Sequence, residues 1–115
     1  MMIIQPKEVW FANFPYAEDS SKSKRRPVIV LDVDNESGTV LSMKVTSRSP
    51  RSEFEIAIFD WAYIPLDHIS TADAASVQNL PKSNFDKKIG WLSDDDWENV
   101  TDLYYSYLKS IGAVW

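Results

Sequence analysis

Apolar and polar residues alternate in short runs through the first half of the chain, and a helical period is clear only in the last third. Glu8 to Phe14, EVWFANF, is short, aromatic-rich and stopped by Pro15, which predicts a strand. Residues 15 to 25 are polar and predict a mobile loop. Pro27 to Asp34, PVIVLDVD, is a β-branched run, apolar on both faces in its first half, as in a central strand. Pro27 opens it, where a missing N–H matters least. Asn35-Glu36-Ser37-Gly38 is turn chemistry, and Thr39 to Thr46, TVLSMKVT, returns as the second strand of a hairpin.

Ser47 to Ser52 is a polar, basic loop broken by Pro50. In Glu53 to Phe59, EFEIAIF, Phe54, Ile56 and Ile58 share one face against Glu53 and Glu55, the pattern of a half-exposed strand. Asp60-Trp61 and Pro65 punctuate a shorter extended piece. Residues 69 to 80 stay open between strand and helix, because Thr71 and Val77 favour one and Ala72, Ala74 and Ala75 the other. Ser93 is a candidate helix cap, with Asp94, Asp95 and Asp96 in the first turn, where the helix dipole favours negative charge. Trp97, Val100, Leu103, Tyr104, Tyr107, Leu108 and Ile111 then recur at three and four, and Gly112 is placed to end the helix. Short strands closed by one helix predict an α+β fold, a small barrel-like antiparallel sheet with a docked C-terminal helix.

Composition narrows the class. The 115 residues suffice for one domain with one core, residues 1–115, and a hydrophobic fraction of 44% is ordinary for a globular chain. No apolar run approaches the length of a membrane span. The opening Met1-Met2-Ile3-Ile4-Gln5-Pro6 lacks the charged region and cleavage site of a signal peptide, so a cytoplasmic protein is expected. With no cysteine and the single His68, disulfides, thiolate metal sites and histidine clusters are excluded, and no metal or cofactor is expected.

Charge then changes the picture. The net charge is −5, yet seven of the 12 Lys and Arg residues lie between positions 22 and 51, opposed there only by Asp32, Asp34 and Glu36. A local field can differ in sign from the total. Arg26 is the sharpest candidate: Pro27 biases it toward extended geometry, and its guanidinium is a planar fork suited to phosphate oxygens. From charge alone, the favoured reading is a solvated strand end beside a flexible loop. Lys44 to Arg51, KVTSRSPR, sets the hydroxyls of Thr46 and Ser47 beside Arg48 and Arg51, a combination that can bind phosphate and stabilise a pentacoordinate transition state. Thr, Ser and Pro are also ordinary turn residues.

Taken in order, Glu8-Val9-Trp10, Arg26-Pro27-Val28-Ile29-Val30 and Val45-Thr46-Ser47 resemble the PemK/MazF family of toxin endoribonucleases. FEIAI, the Asp67 to Thr71 piece DHIST and KKIGWLSDDDWENV continue the resemblance along nearly the whole chain from Pro6. It implies an SH3-like barrel, a homodimer, an acidic antitoxin partner, and metal-independent, sequence-specific cleavage of single-stranded RNA such as mRNA by 2′-hydroxyl attack. The family's key Arg and Thr match Arg26 and Thr46, and a carboxylate that some members carry in a site loop falls on Asp67. Lys24, Arg25, Ser47, Arg48, Arg51 and His68 are the accompanying candidates for holding RNA phosphates. Asp67 or His68 would accept the proton, since a guanidinium keeps its own near neutrality.

The chain departs from the family pattern in three places. Lys7 replaces the glycine before the first acid, the loop from Tyr16 to Lys24 has no glycine, and a second Arg is absent, with Pro65 or Ser70 in its place. Two other readings therefore stay open. One is a degenerate member that binds RNA or a protein without cutting; the other is a gyrase poison, as in a sister family of the same fold. The latter acts through a Trp-Gly-Ile type ending, which Ile111-Gly112-Ala113-Val114-Trp115 matches poorly. Trp61 and Trp91 could stack on bases or lie under loops, and the oily end at Ala113-Val114-Trp115 suggests a dimer contact.

Overall fold

Two hairpins and a capped helix, each written locally in the sequence, set the architecture. A computed structural model of the chain describes residues 3–64, 66 and 68–114. Strands β1 (Glu8–Pro15), β2 (Ser23–Asp34) and β3 (Thr39–Thr46) follow one another antiparallel. After them come the short β4 (Glu55–Ala57), then β5 (Thr71–Pro81) and β6 (Phe85–Trp91). The helix α1 (Asp94–Ser110) ends the chain's regular structure. The six strands form one antiparallel sheet in the order β4-β5-β3-β2-β1-β6. This is the expected α+β, barrel-like fold, but among the described residues β4 and β6 do not pair, so the sheet is open.

The hairpin between β2 and β3 turns on Gly38, whose φ of +69° is left-handed, as a short turn after Asp34 requires. The loop between β1 and β2 is shorter and better tied than its composition suggests. Both strands extend into the polar stretch, leaving residues 16–22. Asp19 Oδ1 accepts from the Ser21 N–H and hydroxyl, and the Tyr16 N–H donates to the Lys22 carbonyl at 3.0 Å.

Residues 71–81 resolve as strand. Periodicity fails there because β5 bulges: Met43 faces Val77 while Lys44 faces Asp73, so Ala74 to Ser76 have no partner on β3. Asp73 holds the bulge, accepting from the Ala75 N–H at 3.1 Å and the Ser76 hydroxyl at 2.9 Å. Of Glu53 to Phe59, only Glu55–Ala57 pairs as strand. The piece after Asp60 is a 3-10 turn, Trp61–Tyr63, rather than extended chain. The reason lies 36 residues away: buried Asp96 accepts from the Phe59 and Asp60 N–H groups, each at 3.0 Å, and fixes the bend.

The helix begins and ends as its sequence dictates. Ser93 Oγ accepts from the Asp96 N–H. At the far end Gly112 has φ +76°, the Ala113 N–H reaches the Leu108 carbonyl and the Gly112 N–H reaches that of Lys109, a Schellman closure. Val100 is buried, and Trp97, Leu103, Tyr104 and Tyr107 pack half-buried on the sheet, with Tyr107 edge-on to Phe54. Ile111 falls outside that stripe and is exposed.

Each sheet face carries its own core. On the helix side Val9, Ile29, Met43, Val45 and Ala72 join Val100. On the other side Trp10, Ala12, Phe14, Val28, Val30, Val40 and Leu80 pack together, with Ile4 and Phe85 closing over them. Glu8 anchors the start of that second face: its carboxylate accepts from the Gln5 N–H, the Trp10 indole and Lys88. The acid and the indole of the Glu8-Val9-Trp10 motif are thus bonded to each other.

Candidate functional site

Strand alternation decides which side chains can meet. Val28 lies opposite Lys44, and Ser42 opposite Gln78. Stepping by two along each strand places Arg26, Val28, Lys44, Thr46 and Gln78 on one face, the face away from the helix. Toward the Arg26 end the apolar core of that face gives way to polar residues, and two adjoining cavities open there.

The smaller cavity, about 180 Å³, is walled by Lys24, Arg25 and Arg26 from β2, by Thr46 and Ser47 at the end of β3, and by Ser70 before β5. Continuing the β2–β3 register two residues beyond Val28 and Lys44 sets Arg26 opposite Thr46. Arg26 Nε and Thr46 Oγ1 are also the two buried side-chain polar atoms that find no hydrogen-bond partner among the described residues. Folded proteins rarely leave buried donors and acceptors unmatched, so two in one cavity mark a place where a polar guest is expected. The guanidinium fork and the hydroxyls are complementary to phosphate oxygens.

The other candidates divide. Lys24 and Ser47 are exposed on the cavity wall. Arg25 shares the wall, but its Nε donates to Asp86 at 2.6 Å and its guanidinium lies 4.1 Å over the Phe11 ring. Arg48 turns away from the cavity. Its fork donates twice to Glu55, at 2.5 and 2.9 Å, and the Thr71 hydroxyl donates to its carbonyl. The Arg48 bridge, with help from the Arg51 N–H, holds the Glu55 carboxyl at about 2, well below its ordinary 4.5. Arg48 therefore clamps the loop after β3 to β4 and leaves no fork free for phosphate. Arg51 is exposed beyond it and lines neither cavity. His68 is exposed, outside both walls, with its carbonyl accepting from the Ser70 hydroxyl. Asp67 lies outside the described residues, as do Pro65 and Trp115.

Sequence reasoning missed Glu55 and Lys44. Lys44 lies 3.8 Å from Asp73 and lines the second cavity, of about 330 Å³, with Tyr16, Glu18, Ser76 and Gln78. Arg26 lines both cavities. A larger one, about 610 Å³, lies elsewhere between the 3-10 turn and β6, beside Tyr63, Ile64 and Trp91. Among the described residues it has no cation on its wall. Trp91 is exposed there, with the Lys88 ammonium 5.6 Å from its ring, whereas Trp61 packs on the helix-side core.

Comparison with known proteins follows the same outline. Residues 5–103 match the family described as PemK-like, MazF-like toxin of type II toxin-antitoxin system. Among solved structures, MazF from Deinococcus radiodurans is similar with a TM-score of 0.77 at 19% identity, over 95% of this chain and 99% of that one. A Deinococcus radiodurans MazE-MazF structure gives 0.75 at 19% identity, over 94% and 98%. An endoribonuclease in complex with its cognate antitoxin from a mycobacterial species gives 0.72 at 13% identity, over 98% and 99%. No curated protein matches the chain.

Proposed function

The chain belongs to the PemK-like, MazF-like toxins of type II toxin-antitoxin systems, and from that premise we propose that it is a metal-independent, sequence-specific endoribonuclease acting on single-stranded RNA. The observation that carries the reading is the single cavity shared by Arg26 and Thr46, with a buried unmatched polar atom on each.

The chemistry is an in-line transfer. The ribose 2′-oxygen forms a bond to the adjacent phosphorus as the bond to the 5′-oxygen breaks, leaving a 2′,3′-cyclic phosphate and a free 5′-hydroxyl. Arg26 offsets the charge of the phosphorane and hydrogen-bonds the leaving 5′-oxygen, which takes its proton from water, while Thr46 and Ser47 hold non-bridging oxygens. Lys24 and Arg25 receive the neighbouring backbone. Asp67 or His68 accepts the 2′-proton, a contribution worth about 10²–10⁴ in rate when such a base is well placed. An acidic antitoxin covering this basic wall would silence the enzyme, and a homodimer is the expected assembly.

Incubating the protein with a long single-stranded RNA in EDTA tests this. Discrete cuts are expected, falling at least about 10²-fold in both Arg26→Ala and Thr46→Ala, the loss typical of removing one preorganised donor. Cuts that persist in either variant, or that need a divalent cation, would refute it. RNA retained without any cut would instead favour a binding protein. One observation lends weight to that second reading: Ser70, one of the two candidates for the place of the second arginine in the family pattern, lines the cavity as an uncharged residue.

A further inference from the structure

The geometry points to the 330 Å³ chamber beside Arg26 as the pocket for one nucleobase flanking the reacting phosphate, with Gln78 as the residue that reads it and adenine as the base it prefers. This rests on the reading of the smaller cavity as the phosphate site and adds what decides the sequence.

Arg26 forms a wall common to both cavities, so a phosphate gripped by its fork lies at their boundary. The base of an adjoining nucleotide can then enter the larger chamber. Gln78 stands across that chamber on β5, level with Ser42 and hence with Val30 of β2. From Arg26 that is two strands sideways and four residues along, roughly 16 Å between backbones at about 4.8 Å per strand and 3.3 Å per residue. Two long side chains and one nucleotide span such a gap.

The wall composition suits a base. Tyr16 supplies exposed aromatic surface on one side, backed by the buried Phe14, and stacking on such a ring is tolerant of base identity. Identity needs a directional group held on something rigid. The hydroxyl of Ser76 is already donated to Asp73, and Lys44 is drawn toward the same carboxylate. The Gln78 carboxamide makes no hydrogen bond to any described residue, and its backbone is fixed in the ladder with β3. Glu18 also lines the chamber, but on the exposed loop after β1. A carboxamide presents a donor beside an acceptor, which matches N7 and N6 of adenine. The bulge borders the chamber: Ala75 and Ser76, without partners on β3, line it beside Val77 and Gln78.

The test separates recognition from cleavage by using fluorescein-labelled 2′-deoxyuridine heptamers, which lack the nucleophile. Each carries A, C, G or U at its centre, and binding is read by anisotropy. The wild-type protein is expected to bind the A heptamer about tenfold more tightly than the all-U one, the discrimination a single good carboxamide–adenine pair provides. Gln78→Leu should level the four affinities. Gln78→Glu, an acceptor only, should move the preference to C, whose amino group donates. Circular dichroism on both variants confirms that the fold is kept. Retained binding with the wild-type base order in both variants, or equal wild-type affinity for all four, overturns the assignment while leaving the nuclease reading intact. A wild-type protein that binds none of the heptamers overturns the assignment, and the RNA-cutting assay then decides the nuclease reading by itself. RNA cutting that persists in Arg26→Ala, with the base preference kept, would refute the nuclease reading and leave the assignment standing alone.

Discussion

Replacing Glu55 with Gln gives the most direct check on the electrostatic reading of the loop after β3. The substitution keeps the side-chain shape and one accepting oxygen but removes the charge that Arg48 and the Arg51 N–H hold. Glu55 is all but buried, with 8% of its side chain exposed, while Arg48 retains 28%. A carboxyl held at about 2 instead of 4.5 corresponds to about 3 kcal/mol, taking roughly 1.4 kcal/mol per pH unit. Because Arg48 is partly open to screening water, that figure is an upper bound. The sign follows from the direction of the shift. A lowered carboxyl contributes its stability above the unfolded value near 4.5 and loses it as pH falls toward 2. Urea unfolding of wild type and Glu55→Gln should therefore differ by about 2–3 kcal/mol at pH 7 and by only about 1 kcal/mol at pH 3. A gap of equal size at both pH values would show that lost packing, not the ion pair, separates the two proteins, and the clamp argument would fail.

Two further outcomes follow from backbone and burial. Lys7 has φ +79°, fixed by hydrogen bonds from its N–H to the Val30 carbonyl and from the Leu92 N–H to its own carbonyl. Lys7→Gly should be more stable than Lys7→Ala by about 1 kcal/mol in urea, since both lose the contact with Asp94 and the left-handed strain outweighs glycine's larger unfolded-state entropy; an Ala variant equal to Gly would count against strain. Thr46→Val removes the buried unmatched hydroxyl at constant shape, so it should raise stability by about 1 kcal/mol while abolishing RNA cutting, and a marked drop in melting temperature would mean the hydroxyl has a native partner.

How much was legible in the sequence varied with how local its cause is. The hairpin of β2 and β3 and the helix from Asp94 were readable, because turn residues, cap and period lie within a few positions of what they control. Residues 71–81 were not, since a bulge held by Asp73 breaks the alternation that identifies a strand. β6 escaped notice as an edge strand whose Asp86, Lys87 and Lys88 interrupt any apolar pattern. The turn at Trp61 depends on Asp96, whose acidic neighbours Asp94 and Asp95 made it look like ordinary helix-start charge. For the candidate site, Arg26 and Thr46 were singled out by the resemblance to the family pattern, with Pro27 and the strand end fixing where their backbones lie. The partner of Arg48 could not, although Glu55 sits seven residues on, because nothing in the spacing shows the loop doubling back.

That last point explains why counting cations was a poor guide to where a phosphate would go. Around the cavity Arg25 is matched by Asp86, Lys44 by Asp73 and Arg48 by Glu55. A paired charge projects little field beyond its partner, so these three shape walls and hold loops more than they attract an anion. Arg26 and Lys24 have no carboxylate within ion-pair distance among the described residues, and both line the 180 Å³ cavity. The acidic residues that make the whole chain negative include Asp94, Asp95, Glu98 and Asp102 on α1, behind the sheet from the cavity. At a Debye length of about 8 Å in physiological salt, charges across the sheet are largely screened from an anion at Arg26. The chain can therefore be acidic overall and still offer RNA one positive wall, defined by which guanidiniums the fold leaves unmatched.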